Sequence, residues 1–237
     1  MLSGPLLYAG CVIPSRLPFV EAAAAFVMGR MGDEVRRIPG AGCCIDPVGL
    51  ASLAPEARGA AAGDLRRRAG ERSILALCEG CNFSLSASAE CSGSTIGFLE
   101  YLDGSLERIG GLVESPLGLR LAVFPGCHAE STYASRGASA PEMMERVLRA
   151  LGADPRHPSG GMCCGGGVSG VDDALSRRIL DECVDALDST GADAIVTSCP
   201  FCFLQFDLVA RRRVFHIAEL AASALGWRED ASKYHRS

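Results

Sequence analysis

Residues 73–81 have the sequence SILALCEGC, and residues 194–202 have the sequence AIVTSCPFC. Each segment is a short, mostly apolar run that ends in a C-x-x-C motif. Such a run is typical of a buried strand, and the cysteines would then follow the carboxyl end of that strand. The chain therefore contains the same strand-to-cysteine unit twice.

The repeat extends outward from these two segments. In each half a single cysteine comes first, an adjacent pair follows, and the C-x-x-C motif closes the series. The repeated cysteines are Cys11, Cys43, Cys44, Cys78 and Cys81 in the first half and Cys127, Cys163, Cys164, Cys199 and Cys202 in the second. Ten of the twelve cysteines belong to this scheme, so it indicates an internal duplication.

The segments between the cysteines alternate between strand and helix patterns. Residues 6–10 and 121–126 are further apolar runs that lead to Cys11 and Cys127. Amphipathic helices are predicted at residues 17–31, 55–69, 140–151 and 171–189. This alternation predicts an α/β fold with two pseudo-symmetric cysteine-rich domains, each with a small, mainly parallel sheet flanked by helices. The cysteines are expected on loops at the strand ends, where open α/β sheets bind ligands.

A glycine- and proline-containing stretch at residues 110–118 is the predicted linker between the halves. The expected domains are residues 1–117 and 118–237.

Composition narrows the classes of function. The chain has 237 residues, a net charge of −5 and a pI near 5.4, which disfavours nucleic acid as a partner. The sequence contains no run of eighteen apolar residues, so no membrane span is predicted. The first residues do not resemble an export signal, so the expected location is the cytoplasm, where clustered cysteines bind metal or perform redox chemistry.

Three chemistries fit the cysteines. A structural zinc site needs four ligands, one fewer than each half offers. A metal-free dithiol oxidoreductase would use the C-x-x-C motifs at helix starts but leaves three cysteines of each half without a role. An iron–sulfur cluster in each half uses thiolates as its standard ligands, and the glycines beside both cysteine pairs would let the backbone approach the sulfurs. The third chemistry accounts for the most residues.

Some residues lie outside this scheme. The pattern Gly165-x-Gly167-x-x-Gly170 matches a dinucleotide-binding motif, but no apolar strand precedes it, so it is interpreted as a loop around a cluster. Cys183 is expected to be a buried helix residue, whereas Cys91 lies in a serine-rich stretch and could be exposed. His128 could donate a hydrogen bond to a cluster or substrate. The remaining histidines, His157, His216 and His235, have no partner that the sequence identifies.

Taken together, these motifs resemble a known family, the B subunit of heterodisulfide reductase, which is built from two cysteine-rich CCG domains. The resemblance is carried by residues 10–16 (GCVIPSR), 39–44 (PGAGCC), 78–82 (CEGCN), 126–128 (GCH), 163–165 (CCG), 199–202 (CPFC) and 216–220 (HIAEL). Two departures stand out. Ile45 follows the first cysteine pair where Gly165 follows the second, and the chain after Cys81 is shorter than in the family.

The resemblance implies two noncubane [4Fe-4S] clusters, each held by one five-cysteine set. It also implies that a substrate disulfide lies between the clusters and that each cluster captures one of its sulfurs. Electrons would arrive through two partner subunits, a ferredoxin-like C subunit and a flavin-containing A subunit. The expected activity is therefore reduction or formation of a small-molecule disulfide, within a complex. The alternatives are an electron-relay or scaffold subunit of a bacterial sulfur-oxidising or electron-bifurcating complex, with zinc in one half, and a cluster-free dithiol oxidoreductase.

Overall fold

The computed structural model describes residues 4–45, 55–160, 163–229 and 235, and all twelve cysteines are among them. The first half contains β1 (Leu6–Tyr8), α1 (Val12–Arg16), α2 (Pro18–Arg30), β2 (Arg36–Arg37), α3 (Pro55–Ala69), β3 (Ile74–Ala76), α4 (Glu79–Ser86), β4 (Thr95–Gly97), α5 (Phe98–Asp103) and α6 (Leu106–Leu112). The second half contains β5 (Arg120–Phe124), α7 (Cys127–Ala134), α8 (Ala140–Ala150), β6 (Asp154–Arg156), α9 (Asp173–Ser189), β7 (Ala194–Thr197), α10 (Pro200–Asp207), β8 (Arg213–His216) and α11 (Ile217–Ala224).

Each half has a four-stranded parallel sheet. The strand order is β2-β1-β3-β4 in the first half and β6-β5-β7-β8 in the second, so the two sheets have the same topology. The central strands are buried along their length because helices cover both faces, as in other parallel sheets. All four carboxyl ends of a sheet meet at one edge, which brings the loops that follow the strands together.

The two halves pack through equivalent pairs of helices. Helix α2 packs against α11, and its counterpart α8 packs against α5. Closer to the cysteines, α4 packs against α7 and α1 packs against α10. A single apolar core runs through both halves, and Phe19 of α2 meets Phe203 of α10 with ring centroids 5.9 Å apart. These equivalent contacts relate the two halves by an approximate two-fold axis.

The predicted fold class is confirmed. The four predicted helices and four predicted strands are present, with ends that differ by up to two residues. The outer strands β2, β4, β6 and β8 and the short helices α1, α5, α6 and α7 were not predicted. Gly110 and Gly111 lie inside α6, so the linker starts later than the sequence predicts, because α6 continues to Leu112. The domain limits 1–117 and 118–237 stay a prediction.

No helix in the described part of the chain is both long enough and apolar enough to cross a membrane.

Candidate metal centre

The repeated cysteines gather at the carboxyl edges of the two sheets. Cys78 and Cys199 are the residues before α4 and α10, directly beyond β3 and β7. Cys11 precedes α1 beyond β1, and Cys127 begins α7 beyond β5. The cysteine pairs follow the edge strands. The cysteines thus lie at the strand ends, as the sequence predicts, while their role as metal ligands stays a prediction.

The cysteines of each half make the same contacts. In the first half the Sγ atoms of Cys11 and Cys43 are 3.5 Å apart, and those of Cys44 and Cys81 are 3.2 Å apart. In the second half the equivalent contacts join Cys127 to Cys163 and Cys164 to Cys202. All are free thiols, because a disulfide would bring the sulfurs to about 2 Å.

Some of the sulfurs contact more than one other sulfur, since Cys78 contacts both Cys81 and Cys199, and Cys202 contacts both Cys164 and Cys199. Within the described residues, no group of three or more His, Cys, Asp or Glu side chains is arranged to hold a single metal ion. A structural zinc ion requires four ligands converging on one point, one fewer than the five repeated cysteines of each half. A polynuclear cluster instead takes ligands that are spread around its surface.

The turn after each cysteine pair has the same backbone conformation. Ile45 and Gly165 have φ angles of 56° and 74°, and each backbone N–H donates to the Sγ two residues earlier, over 3.4 Å. Ile45 is the only residue other than glycine with positive φ among the described residues. A β-branched residue rarely adopts this region, so the turn is strained in the first half. Ile45 therefore differs from Gly165 in residue type, while the backbone has the same conformation at both positions.

Two further glycines allow the chain to approach the sulfurs. Gly10 and Gly126 have φ angles of 70° and 92°, and each immediately precedes the first cysteine of its half. A Cβ atom at Gly10 would lie 2.8 Å from the Sγ of Cys81, and one at Gly126 would lie 3.1 Å from the Sγ of Cys202. Any side chain here would therefore fill the space beside the sulfurs.

The two sets of cysteines touch at the centre of the molecule. The thiols of Cys78 and Cys199, both buried, are hydrogen-bonded to each other across the interface between the halves. This contact raises the pKa of Cys78. Hydrogen bonds from Cys202 and Cys78 lower the pKa of Cys199. The two sites therefore form one continuous cysteine-lined region.

The second set is more exposed than the first, because Cys163 is exposed where Cys43 is half-buried. The hydrogen bond with Cys127, the Gly165 N–H and the nearby His128 together lower the pKa of the Cys163 thiol to about 6. Burial raises the pKa of the matching Cys43 to about 11. A lowered pKa and an exposed position are the features of a reactive thiol, so Cys163 is the most nucleophilic position that the geometry indicates.

Each of the four histidines contacts an identified neighbour. The ring of His128 stacks on Phe83 with centroids 4.9 Å apart, and the predicted bond from His128 to a cluster or substrate stays a prediction. His216 precedes α11, and its Nδ1 accepts from the N–H of Ala218. The Nε2 atoms of His157 and His235 lie 2.8 Å from Glu145 and 2.9 Å from Glu219 respectively. None of these three partners was identified from the sequence.

A buried polar cluster beside the cysteines was also missed. Glu79 lies inside the first C-x-x-C motif and is wholly buried, and Tyr133 donates its hydroxyl hydrogen to the carboxylate, 3.2 Å from Oε1. Asn82 donates to the same carboxylate over 3.1 Å. Burial raises the pKa of Glu79 to about 8. A glutamate within an otherwise small motif was the available signal, but its partner Tyr133 is 54 residues away.

The two cysteines outside the repeat are both buried. Cys183 lies in α9, as predicted, where burial raises its pKa to about 12. The expectation that Cys91 could be exposed is wrong, because its chain segment packs on α3 and its Sγ contacts the carbonyl oxygen of Ala62 at 3.4 Å. The described residues directly before Gly165, 157–160 and 163–164, form no strand, which agrees with interpreting residues 165–170 as a loop and not as a nucleotide-binding motif.

Comparisons with known proteins agree with this organisation. The family model described as "CCG: Cysteine-rich domain" matches the chain twice, at residues 6–86 and 121–207. The B subunit of the ferredoxin/F(420)H(2)-dependent CoB-CoM heterodisulfide reductase of Methanosarcina acetivorans is 29% identical over 270 aligned positions, which cover 94% of this chain and 90% of the relative. The B subunit of the fumarate reductase (CoM/CoB) of Methanothermobacter marburgensis is 24% identical, covering 83% of this chain and 40% of that protein.

A solved structure has the same fold. The crystal structure of a hypothetical protein from Helicobacter pylori superimposes with a TM-score of 0.70 at 13% identity. The match covers 96% of this chain and 50% of that one, so this chain spans about half the length of that protein. The alignment with the Methanosarcina relative is longer than the 237 residues of this chain, so that relative carries additional residues.

Proposed function

Because the chain belongs to the CCG cysteine-rich domain family, we propose that it is the B-type iron–sulfur subunit of a heterodisulfide reductase-like complex. In this role it reduces or forms a small-molecule disulfide. The observation that carries the proposal is the contact between Cys78 and Cys199, which joins two equivalent five-cysteine sets into one region. The Methanosarcina relatives, which are named as the B subunit of CoB-CoM heterodisulfide reductases, support the same assignment.

The proposed cofactors are two noncubane [4Fe-4S] clusters. The ligands would be the five repeated cysteines of each half. The donor set fits such a group, because thiolates are the usual ligands and each half adds a backbone N–H that donates to a sulfur, from Ile45 and Gly165. Bound there, the clusters would supply the two electrons that cleavage of a disulfide requires.

The chain's own residues prepare the region for this chemistry. Six of the ten repeated cysteines are buried, whereas Cys11, Cys127 and Cys163 are exposed, so sulfur compounds can reach the region at these three thiols. Val12 and Phe201 line the small cavity beside the first set and keep it apolar. Near the second set, the hydrogen bond with Cys127 and the N–H of Gly165 favour the thiolate form of Cys163.

The proposed partners are a ferredoxin-like C subunit, which would deliver electrons to the clusters, together with a flavin-containing A subunit. The proposed location is the cytoplasm, because clustered cysteines bind metal or perform redox chemistry in a reducing compartment. The complex could equally serve bacterial sulfur oxidation or electron bifurcation, with this chain as a relay subunit.

A second candidate function has one observation in its favour. Cys163 is exposed, has a lowered pKa and touches Cys127, which is the arrangement of a reactive dithiol. A cluster-free dithiol oxidoreductase could use this pair. It leaves the eight other repeated cysteines without a role.

The deciding experiment is a determination of iron and acid-labile sulfide on anaerobically purified protein. Two clusters predict about eight irons and a similar amount of sulfide per chain, together with a paramagnetic signal on oxidation that changes when a small thiol is added. Cys199→Ser should lower the iron content, whereas Cys91→Ser, a buried cysteine outside the repeat, should leave it unchanged. Protein that contains zinc or no metal, with dithiol activity that survives iron chelation, would contradict the proposal.

A further inference from the structure

His216 lies at the carboxyl edge of the second sheet, in the same buried region as the cysteines. It is the last residue of β8, and its backbone is paired with Thr197, the last residue of β7. Cys199 follows Thr197 by two residues at that edge. His216 has no exposed surface and Cys199 is 4% exposed. The register of β7 and β8 therefore places the His216 ring beside a repeated cysteine of the second set.

Only one of the two ring nitrogens of His216 is used by the fold. Nδ1 accepts from the N–H of Ala218 over 3.2 Å, so the proton of the neutral ring is on Nε2. Nε2 is buried and has no hydrogen-bond partner among the described residues. A buried donor without a partner destabilises the fold, so such atoms are rare unless something bonds to them. The Nε2–H thus marks a place where an acceptor is expected.

The neighbours of the ring identify that acceptor. Burial lowers the pKa of His216 to about 4, while the Cys199 thiolate and the backbone of Ser198 act to raise it. Both groups therefore lie close to the ring, although neither forms a hydrogen bond with Nε2. The ring is uncharged at neutral pH, so it acts on its surroundings as a hydrogen-bond donor and not as a cation. Of the two neighbours, the Cys199 sulfur is the one that carries charge.

The first half has a glycine at the position equivalent to His216. Gly97 is the last residue of β4 and is paired with Ala76, two residues before Cys78. A Cβ atom at Gly97 would overlap the hydroxyl group of Tyr133, so this position cannot carry a larger side chain without displacing it. The first set therefore lacks the donor that the second set has at this edge of the sheet.

We infer that the Nε2–H of His216 donates a hydrogen bond to the metal-bound sulfur of Cys199 and makes the second site easier to reduce than the first. This inference rests on the proposed function and adds to it a residue that sets the order of reduction. A donor to a ligand sulfur stabilises the extra negative charge of the reduced state, which raises the reduction potential. An electron would then settle at the second site, where Cys127 and Cys163 are exposed.

The test uses two substitutions that separate the two nitrogens of the ring. The side-chain amide of asparagine lies near the position of Nδ1, so His216→Asn keeps an acceptor for the Ala218 N–H and removes the outer donor. Glutamine carries its amide nitrogen near the position of Nε2, so His216→Gln keeps the donor and removes the cap. His157→Asn is the matched control, because His157 is exposed.

The measurement is a redox titration of the anaerobically purified protein with dithionite at pH 7.5, followed by EPR. The wild type should show two one-electron couples with different midpoint potentials. His216→Asn should lower the higher potential by about 59 mV, which is a tenfold change in that reduction equilibrium, and leave the lower one unchanged. His216→Gln should keep both potentials but unfold at a lower temperature, because the cap is lost. His157→Asn should change neither potential.

Several outcomes would overturn the inference. They are equal potentials in the wild type, unchanged potentials in His216→Asn, a shift in the lower potential only, or the same shift in both variants. Loss of iron from both variants would show a purely structural role and would overturn it too. Iron analysis of the same samples separates this inference from the proposed function. Full iron content with unchanged potentials contradicts only the role of His216, whereas wild-type protein without iron contradicts the proposed function as well.

Discussion

Ile45 and Gly165 show how one backbone turn can be reached by two different residues. Both donate an N–H to the sulfur of the cysteine two positions earlier, and both have positive φ. Their surroundings differ. A Cβ at Gly165 would lie 2.5 Å from the backbone oxygen of Ser176, which cannot move without displacing α9. Glycine is therefore required at position 165 by the nearby backbone of Ser176 as well as by the positive φ of the turn.

This difference predicts unequal effects of substitution. Gly165→Ala should destabilise the protein by about 2–4 kcal/mol, the sum of an unfavourable φ and a backbone overlap, and should lower the iron content of the second site. Gly170→Ala is the control for the φ effect alone, because its added Cβ would meet nothing within 4 Å, and should cost about 1 kcal/mol. Unfolding in urea measures both. Similar losses for the two variants would show that Ser176 moves aside.

At the scale of elements, helix α11 depends on its first residues. His216 accepts from the N–H of Ala218, and the Glu219 carboxylate accepts from the N–H of His216 over 2.8 Å, which forms a capping box. Burial lowers the pKa of His216 to about 4. The neutral ring is needed here because a protonated Nδ1 could not accept the bond.

The lowered pKa makes this cap sensitive to acid. The unfolded chain takes up a proton at His216 near its ordinary pKa of about 6.5, whereas the folded protein resists until about 4. The stability that the neutral ring provides is complete above pH 6.5 and is lost as the pH falls toward 4, by up to about 1.4 kcal/mol per pH unit. His216→Asn keeps a capping acceptor that does not titrate.

The measurement is chemical unfolding of the wild type and His216→Asn between pH 7.5 and pH 5. The free-energy difference between the two should move in favour of the variant as the pH falls. A constant difference over that range would show that His216 has the same pKa in the folded and unfolded protein. His157→Asn serves as a comparison, since His157 is exposed.

The elements also show which features a sequence can predict. The buried strands β1, β3, β5 and β7 have a clear apolar signal and were found, as were the long helices. The edge strand β2 consists of two exposed arginines, and its backbone pairing with β1 leaves no trace in residue type. Helix α1 begins directly after Cys11 and contains Pro14, which normally argues against a helix interior.

The candidate site was predictable to the same extent. The spacing of the cysteines located all ten at the sheet edges. The contact between Cys78 and Cys199 was not derivable from spacing, because it depends on how α4 packs against α7 and α1 against α10. The partners of Glu79 and His235, and the burial of Cys91, likewise arise from distant segments.

At the scale of the whole molecule, the halves share their core. Phe19 of the first half and Phe203 of the second are both buried and in ring contact, and α2 packs along α11. A domain with its own core could fold alone, but here each half would expose the apolar face that the other covers. The cysteine-lined region would also lose the cysteines of the other half.

Residues 1–117 and 118–237 expressed separately should therefore aggregate or remain largely unfolded, whereas co-expression should yield a complex of the two fragments. Circular dichroism and co-purification through a tag on one fragment would measure this. The intact chain cut at the same point after folding is the control. Two fragments that each fold and bind iron alone would show that the shared core is dispensable.

The approximate two-fold axis between Cys78 and Cys199 has a consequence for ancestry. A symmetric dimer places the same patch of both protomers at its axis, so a residue there meets its own copy. Cys78 and Cys199 are such copies of one position. The chain thus has the form of a homodimer whose two genes have fused. Fusion releases each copy to diverge, and the two junctions do differ: Ser131 and Ser135 line a cavity at the junction of α4 with α7, whereas Val12 and Phe201 line one at the junction of α1 with α10.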